Sequence, residues 1–243
     1  MDNKAEILGC HIDIIDSRQA LEKISEIILG RECGQVITLN AEIAFQAQKD
    51  EKLRSLINGA DLVTPDGIGV IWGGRQLGYD FPERVTGIDL MVSLCRKAAN
   101  MGWKVFLFGA APGVAEAAAQ TLAKQFPGLM VAGCRHGYFN DDESVGIARE
   151  IAALQPDILF VALGAPKQEY WIRDQREVLK VPLCMGVGGS FDVIAGVKSR
   201  APGWAIRLNL EWLYRLLAEP SRWKRQLALP RYVLAIIKAK WRK

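Results

Sequence analysis

Short apolar runs alternate with amphipathic segments along almost the whole of this 243-residue chain, and no other feature constrains its fold as tightly. "QVITLN", "DLVTPD", "KVFLFGA", "LMVAGCRHGYF", "DILFVALG" and "VPLCMGVGG" have the length and apolar content of buried strands. Between them the period changes to that of a helix. After a strand or hairpin over residues 6–15, "DSRQALEKISEIIL" carries Leu21, Ile24 and Ile28 at helical spacing behind an Asp16/Ser17 cap. Residues 41–58 read as one helix. "GIDLMVSLCRKAANMG" reads as a helix closed by Gly102, and "PGVAEAAAQTLAKQF" as one with proline in its first turn. "ESVGIAREIAAL", "PKQEYWIRDQREVL" and "SFDVIAGV" continue the alternation. Apolar strands separated by helices predict an α/β fold: a mostly parallel, Rossmann-like sheet with helices on both faces. Ligands of such sheets bind beyond the carboxyl ends of the strands. That rule singles out Asn40, Asp66, Gly109–Gly113, Tyr138, Gly164–Gln168 and Gly186–Asp192.

Charge divides the chain in two. Residues 204–243 hold ten Lys/Arg against two Asp/Glu and four of the seven tryptophans, whereas residues 1–203 are mildly acidic. The expectation is a core over residues 1–203 and a basic helical appendage over residues 204–243, hinged at about 196–206. No apolar run reaches 18 residues, and "MDNKAEILGC" lacks the layout of a secretory signal. Five scattered cysteines without a C-x-x-C pair read as core residues of a reducing compartment. A cytoplasmic protein is expected.

Several chemistries find no footing. His11 and His136 are far apart without ligand spacing, and there is no Asp-x-Asp at a strand end, so neither a metal nor a cofactor is expected. There is no P-loop and no G-x-S-x-G elbow. "FLFGAAPGVAEAA" and "MGVGGSFDVIAG" are glycine-rich strand-to-helix turns, where backbone N–H groups can approach a phosphate. Two such loops in one sheet favour a nucleotide or sugar-nucleotide. "DGIGVIWGG" nearly matches a dinucleotide fingerprint, with Trp72 at the third glycine's position, and supports a nicotinamide-dependent oxidoreductase as the alternative. Asp66, in "TPDG", has two readings: a turn residue, since Pro-Asp-Gly is favourable turn chemistry, or a general base at a strand's carboxyl end.

The blocks "ITLNAE", "LVTPDGIGV", "PERVTGIDL", "LFGAAPGVAEAAA", "LGAPKQEYW" and "GVGGSFDVIAGVKSRAP" together resemble the WecG/TagA/CpsF family of bacterial glycosyltransferases, most of all its TagA branch. They occur in family order over residues 6–206. The resemblance implies transfer of N-acetylmannosamine or a related sugar from a UDP-sugar to polyprenyl-diphosphate-linked N-acetylglucosamine, with inversion and without a metal. It further implies that Asp66 deprotonates the acceptor hydroxyl, with Thr38 and Asn40 orienting the sugars. Arg84 and Gln168 would contact substrate or diphosphate; Gly109, Tyr138, Gly189 and Asp192 would frame the uridine and diphosphate.

The tail supplies what a metal-free transferase lacks. Leu208, Trp212, Arg215 and Leu216 recur at helical spacing, and Arg222 and Arg225 follow three apart. Basic, tryptophan-bearing amphipathic helices suit an anionic bilayer surface, where each cation contributes on the order of 1 kcal/mol. The expectation is peripheral association with the inner face of the plasma membrane; the resemblance further implies that Arg215, Arg222 and Arg225 stabilise the departing diphosphate. Off the membrane the apolar tail segments offer a surface for homo-oligomer formation, and the sequence sets no oligomeric state. Nucleic-acid binding by the tail would leave the polar strand-end loops unexplained, and no nucleic-acid partner is expected.

Overall fold

The computed structural model of the protein describes residues 3–31, 33–208, 210–218 and 228–241. An antiparallel hairpin, β1 (Lys4–Ile7) and β2 (Cys10–Asp13), precedes six strands: β3 (Gly34–Leu39), β4 (Leu62–Pro65), β5 (Lys104–Gly109), β6 (Met130–Arg135), β7 (Ile158–Ala162) and β8 (Leu183–Gly186). These six form one all-parallel sheet in the order β4-β3-β8-β7-β5-β6. Helices α1 (Ser17–Gly30), α2 (Ala41–Ala47), α3 (Glu51–Asn58), α4 (Ile68–Gln76), α5 (Gly87–Met101) and α6 (Val114–Gln125) are followed by α7 (Ser144–Ala153), α8 (Lys167–Leu179) and α9 (Ser190–Ile194). The fold class read from the alternation is the one observed.

The strands are apolar on both sides, as a doubly covered sheet requires. Val105 and Leu107 of β5 join the core under α1, α5 and α6; Phe106 and Phe108 join the core under α7 and α8. The hairpin covers the β4 edge. Its two-residue turn, Leu8-Gly9, has φ of 52° and 84°, the positive pair a tight hairpin turn needs. Buried Asp13 of β2 accepts a hydrogen bond from the Val63 N–H at 2.9 Å and pairs with Lys23 at 2.9 Å, so an edge N–H of the sheet is satisfied instead of exposed. The five cysteines carry free thiols. Burial pushes the Cys95 thiol up to about 12, which makes it packing material rather than a nucleophile.

Helix α4 has no counterpart in the sequence expectation, and the helices at 41–58 and after Pro112 are bounded differently. Residues 41–58 form two helices, because the Asp50 carboxylate accepts the Leu53 N–H at 3.0 Å and caps a new start. Helix α6 begins behind Gly113, in the left-handed region at φ 83°, so Pro112 lies in the turn before it.

Three helices follow the sheet: α10 (Gly203–Arg207), α11 (Glu211–Ala218) and α12 (Ala228–Lys240). α12 packs on α2 and α4 and buries Tyr232 and Ile236 completely. The Tyr232 hydroxyl donates to the Gly69 carbonyl at 3.1 Å. A Cβ on Gly73 would stand 2.3 Å from that hydroxyl, one on Gly74 would stand 2.3 Å from the Phe81 ring, and one on Gly69 would press on Ala41. Gly69, Gly73 and Gly74 of "DGIGVIWGG" are therefore seats for side chains, while Gly67 faces open space and meets a φ of 90° at the turn. This corrects the dinucleotide reading of the stretch and withdraws support from the oxidoreductase alternative. Among the described residues, Trp204, Leu208, Trp212, Leu217, Leu234 and Trp241 remain exposed, and no helix is long and apolar enough to cross a membrane.

Candidate active site

The parallel sheet brings all of its strand-end loops to one side, in the order of the strands. The sheet's connections diverge between β5 and β7: β5 continues outward to β6, whereas β7 continues inward to β8. Such a divergence opens a crevice at the carboxyl ends. A cleft of about 790 Å³ lies there, lined by Ala110 and Ala111 after β5, Gly137–Asn140 after β6, Gly164 and Lys167 after β7, and Gly188, Gly189, Asp192 and Lys198 after β8.

Small residues make the cleft. Gly109 has φ 129°, and a Cβ on it would lie 2.4 Å from the Ala162 carbonyl oxygen. Its absence lets β5 end against β7, where the Ala110 N–H donates to that same oxygen at 2.9 Å. Gly109 thus builds the cleft by close packing, and Ala110 and Ala111 face it. Tyr138 stands at the rim, 70% exposed, with its ring available as a stacking face. Phe139 is backed by Phe108 at 5.6 Å between centroids, and Lys167 sits 4.8 Å from the Phe139 centroid. Asp192 faces Lys198 at 3.7 Å.

Asp66, Thr38 and Asn40 gather at the other half of the edge, past β3 and β4. The strands pair Thr38 with Thr64 and Leu39 with Pro65, so continuation of that register sets Asn40 beside Asp66. One carboxylate oxygen of half-buried Asp66 accepts the Gly87 N–H at 3.2 Å, at the start of α5. Thr38 packs on the same glycine: a Cβ at Gly87 would be 3.1 Å from the Thr38 hydroxyl. Gly87 is thus the shared contact of Thr38 and Asp66. The Asn40 side-chain oxygen accepts the Ile43 N–H at 3.0 Å and caps α2, which fixes the direction of its amide.

Gln168 is buried behind the β8 loop. Its side-chain oxygen accepts the Gly188 N–H at 3.0 Å and its amide nitrogen donates to Glu169 at 2.8 Å. Glu169 is a residue that the sequence reading passed over. It is 1% exposed, and its other oxygen, Oε2, has no hydrogen-bond partner among the described residues. Burial raises its carboxyl above the usual range, a shift opposed by the Gln168 hydrogen bond. The Glu169 carboxyl, Gln168 and Gly188 form a hydrogen-bonded chain that ends at the cleft wall. Gly186 makes room for it, since a Cβ there would meet the Gln168 amide at 2.5 Å. The signal in the sequence was "KQE" beginning a helix, with a carboxylate on the buried side.

Arg84 pairs with Glu211 of α11 at 3.2 Å, both side chains less than one-fifth exposed. The pair joins the loop before α5 to the C-terminal helices. Arg222 and Arg225 lie outside the described residues, and Arg215 is described only by its place in α11. Lys167, inside the Gly164–Gln168 loop that the strand-end rule selected, and Lys198 are further cleft residues that the sequence did not single out, because a lysine carries no distinguishing pattern. Among the described residues, no group of three or more His, Cys, Asp or Glu side chains is arranged to hold a metal ion.

The chain matches the model of the glycosyl transferase WecG/TagA/CpsF family over residues 5–243. It is 41% identical over 203 residues to an N-acetylglucosaminyldiphosphoundecaprenol N-acetyl-beta-D-mannosaminyltransferase of Bacillus spizizenii, covering 84% of this chain and 78% of that protein. An enzyme of the same description from Bacillus subtilis is 38% identical, over 95% of this chain and 86% of its own. One from Staphylococcus aureus is 36% identical, over 98% and 93% respectively.

Proposed function

Because the chain belongs to the WecG/TagA/CpsF family of glycosyl transferases, we propose that it moves N-acetylmannosamine from a UDP-sugar to polyprenyl-diphosphate-linked N-acetylglucosamine, at the inner face of the plasma membrane. The observation that carries this reading is the division of the sheet edge into a glycine-walled cleft and a separately anchored carboxylate. The β8 loop of the cleft and the β4 loop of Asp66 are two strand spacings apart, roughly 10 Å, a separation suited to a sugar between them.

In this reading the cleft takes the UDP moiety, with Tyr138 stacking on the base and Asp192 and Gly189 beside it. Asp66 removes the proton from the acceptor hydroxyl. The oxygen then forms the new bond to the anomeric carbon as the bond from that carbon to the diphosphate oxygen breaks. The electron pair leaves with UDP, and a single displacement inverts the configuration. Thr38 and Asn40 hold the sugars on either side of the reacting centre. Gln168 acts from behind the Gly188 wall, while Arg84 and the tail arginines, Arg215, Arg222 and Arg225, meet diphosphate charge. No metal is assigned a step.

Residues 204–243 take the role of a membrane-associating appendage. Exposed Trp204, Trp212 and Trp241, together with basic neighbours, have the chemistry of a headgroup-zone surface. The account predicts sedimentation with anionic phosphatidylglycerol vesicles and much weaker sedimentation with neutral phosphatidylcholine vesicles. Equal partition between the two, or a concentration-dependent dimer that hides these residues, would remove the membrane role.

The test of the activity is UDP release from a panel of UDP-sugars with a short-chain lipid-diphosphate-GlcNAc acceptor, in EDTA. Acceptor-dependent release from UDP-N-acetylmannosamine is expected. Release from another donor would change the sugar, abolition by EDTA would overturn metal independence, and no release from any donor would reject the transfer itself.

A further inference from the structure

The residues that line the cleft include two cationic side chains, Lys167 and Lys198. They arise from different segments. Lys167 opens α8 directly after the β7 loop, and Lys198 follows α9 after the β8 loop. Strands β7 and β8 are hydrogen-bonded neighbours, so both lysines belong to the middle of the sheet edge. The aromatic and amide groups of the cleft, Tyr138, Phe139 and Asn140, come instead from the β6 side. Asp66 stands at the opposite end, past β4.

The acidic lining is already engaged. Glu143 accepts the Asn140 N–H at 2.7 Å as part of a helix cap, and Asp192 faces Lys198. Lys167 leans over the Phe139 ring, an attraction worth much less than a charge-assisted bond to a phosphate oxygen. A dianionic group in the middle of the cleft would meet the Lys167 ammonium, the Lys198 ammonium in competition with Asp192, and glycine backbone on the walls.

We infer that Lys167 and Lys198 bind the diphosphate of the donor, and that the donor lies along the sheet edge with its nucleoside over β5 and β6, its diphosphate over β7 and β8, and its sugar directed toward β3 and Asp66. The inference rests on the proposed nucleotide-sugar donor. It gives the leaving group counter-charge from the core of the protein, in addition to any contributed by the tail. The sequence order of the two lysines has no bearing on it; their strands do.

Calorimetric titration of the full-length protein with UDP and with uridine tests this. Wild type is expected to bind UDP more tightly than uridine, and added salt is expected to weaken UDP alone. Lys167→Gln and Lys198→Gln should each weaken UDP by about tenfold, the scale of one charge-assisted hydrogen bond, and leave uridine unchanged. Lys167→Arg and Lys198→Arg should retain most of the UDP affinity. Unchanged UDP affinity in both glutamine variants would overturn the lysine assignment while leaving the donor in the cleft. An equal loss for UDP and uridine would also overturn it, because the lysines would then shape the cleft without meeting phosphate. Failure of wild type to bind either ligand would remove the donor reading on which the inference stands.

Discussion

The two halves of the sheet's carboxyl edge are built by opposite means. At β3 and β4, polar side chains are fixed by backbone N–H groups: Asp66 by Gly87 and Asn40 by Ile43. At β5 to β8, glycine and alanine at the strand ends leave an open cleft, with Tyr138, Lys167, Asp192 and Lys198 around it. A reacting group needs a fixed position, whereas a ligand needs volume and backbone access. In the proposed reading, one half acts on a substrate and the other holds it.

The largest effect expected from breaking this contrast comes at Gly109. Gly109→Ala puts a Cβ against the Ala162 carbonyl at a positive φ of 129°. Overpacking and backbone strain together should cost several kcal/mol, about 2–6. Thermal unfolding should show a large drop in Tm, and any folded fraction should lack UDP binding. Gly73→Ala acts on the other half, through the Tyr232 seat. A loss of about 1–3 kcal/mol is expected, with faster proteolysis around α12 and UDP affinity retained. Loss of UDP binding in that variant would erase the distinction between the halves.

Tyr138→Ala should weaken UDP and uridine alike, by about tenfold, on the scale of one base–aromatic stack. Calorimetry would show the parallel loss, in contrast to the phosphate-selective loss at the lysines. The smallest effect concerns Glu169. Burial raises its carboxyl above 4.5, so between 4.5 and the raised value the native state holds a proton that the unfolded state has released. Stability from this source is fully present below about 4.5 and falls as pH rises through the raised value. Glu169→Gln should flatten that slope in urea titrations run from pH 4 upward, and its amide can still accept from Gln168. Glu169→Leu should flatten it too, but with weaker UDP binding through the released Gly188 loop.

The sequence carried the architecture because its signals were local. Apolar runs, helical spacings, the Asp16 cap and Gly102 in its left-handed φ of 71° each needed only neighbours in the chain to be read. The strand-end rule then delivered the candidate loops together with the sheet. Contacts between distant segments were not legible. Nothing near Gly73 announces Tyr232, some 160 residues later, and nothing near Arg84 announces Glu211. The same limit explains the misread dinucleotide turn, where Gly69, Gly73 and Gly74 answer to packing. It also hid Glu169, whose meaning lies in burial beneath Gln168 rather than in its identity, and the two lysines, which only the strand order brings to one cleft.

The central claim is that the cleft holds the donor while Asp66 performs the proton transfer. The most direct measurement pairs UDP titration with acceptor-dependent UDP release on one preparation of Asp66→Ala. The account predicts UDP affinity within about twofold of wild type and turnover reduced by about 10²–10⁴-fold, the range for loss of a general base. Wild-type turnover in this variant, or turnover lost only in proportion to UDP affinity, would contradict the division of labour and leave Asp66 a residue of the turn.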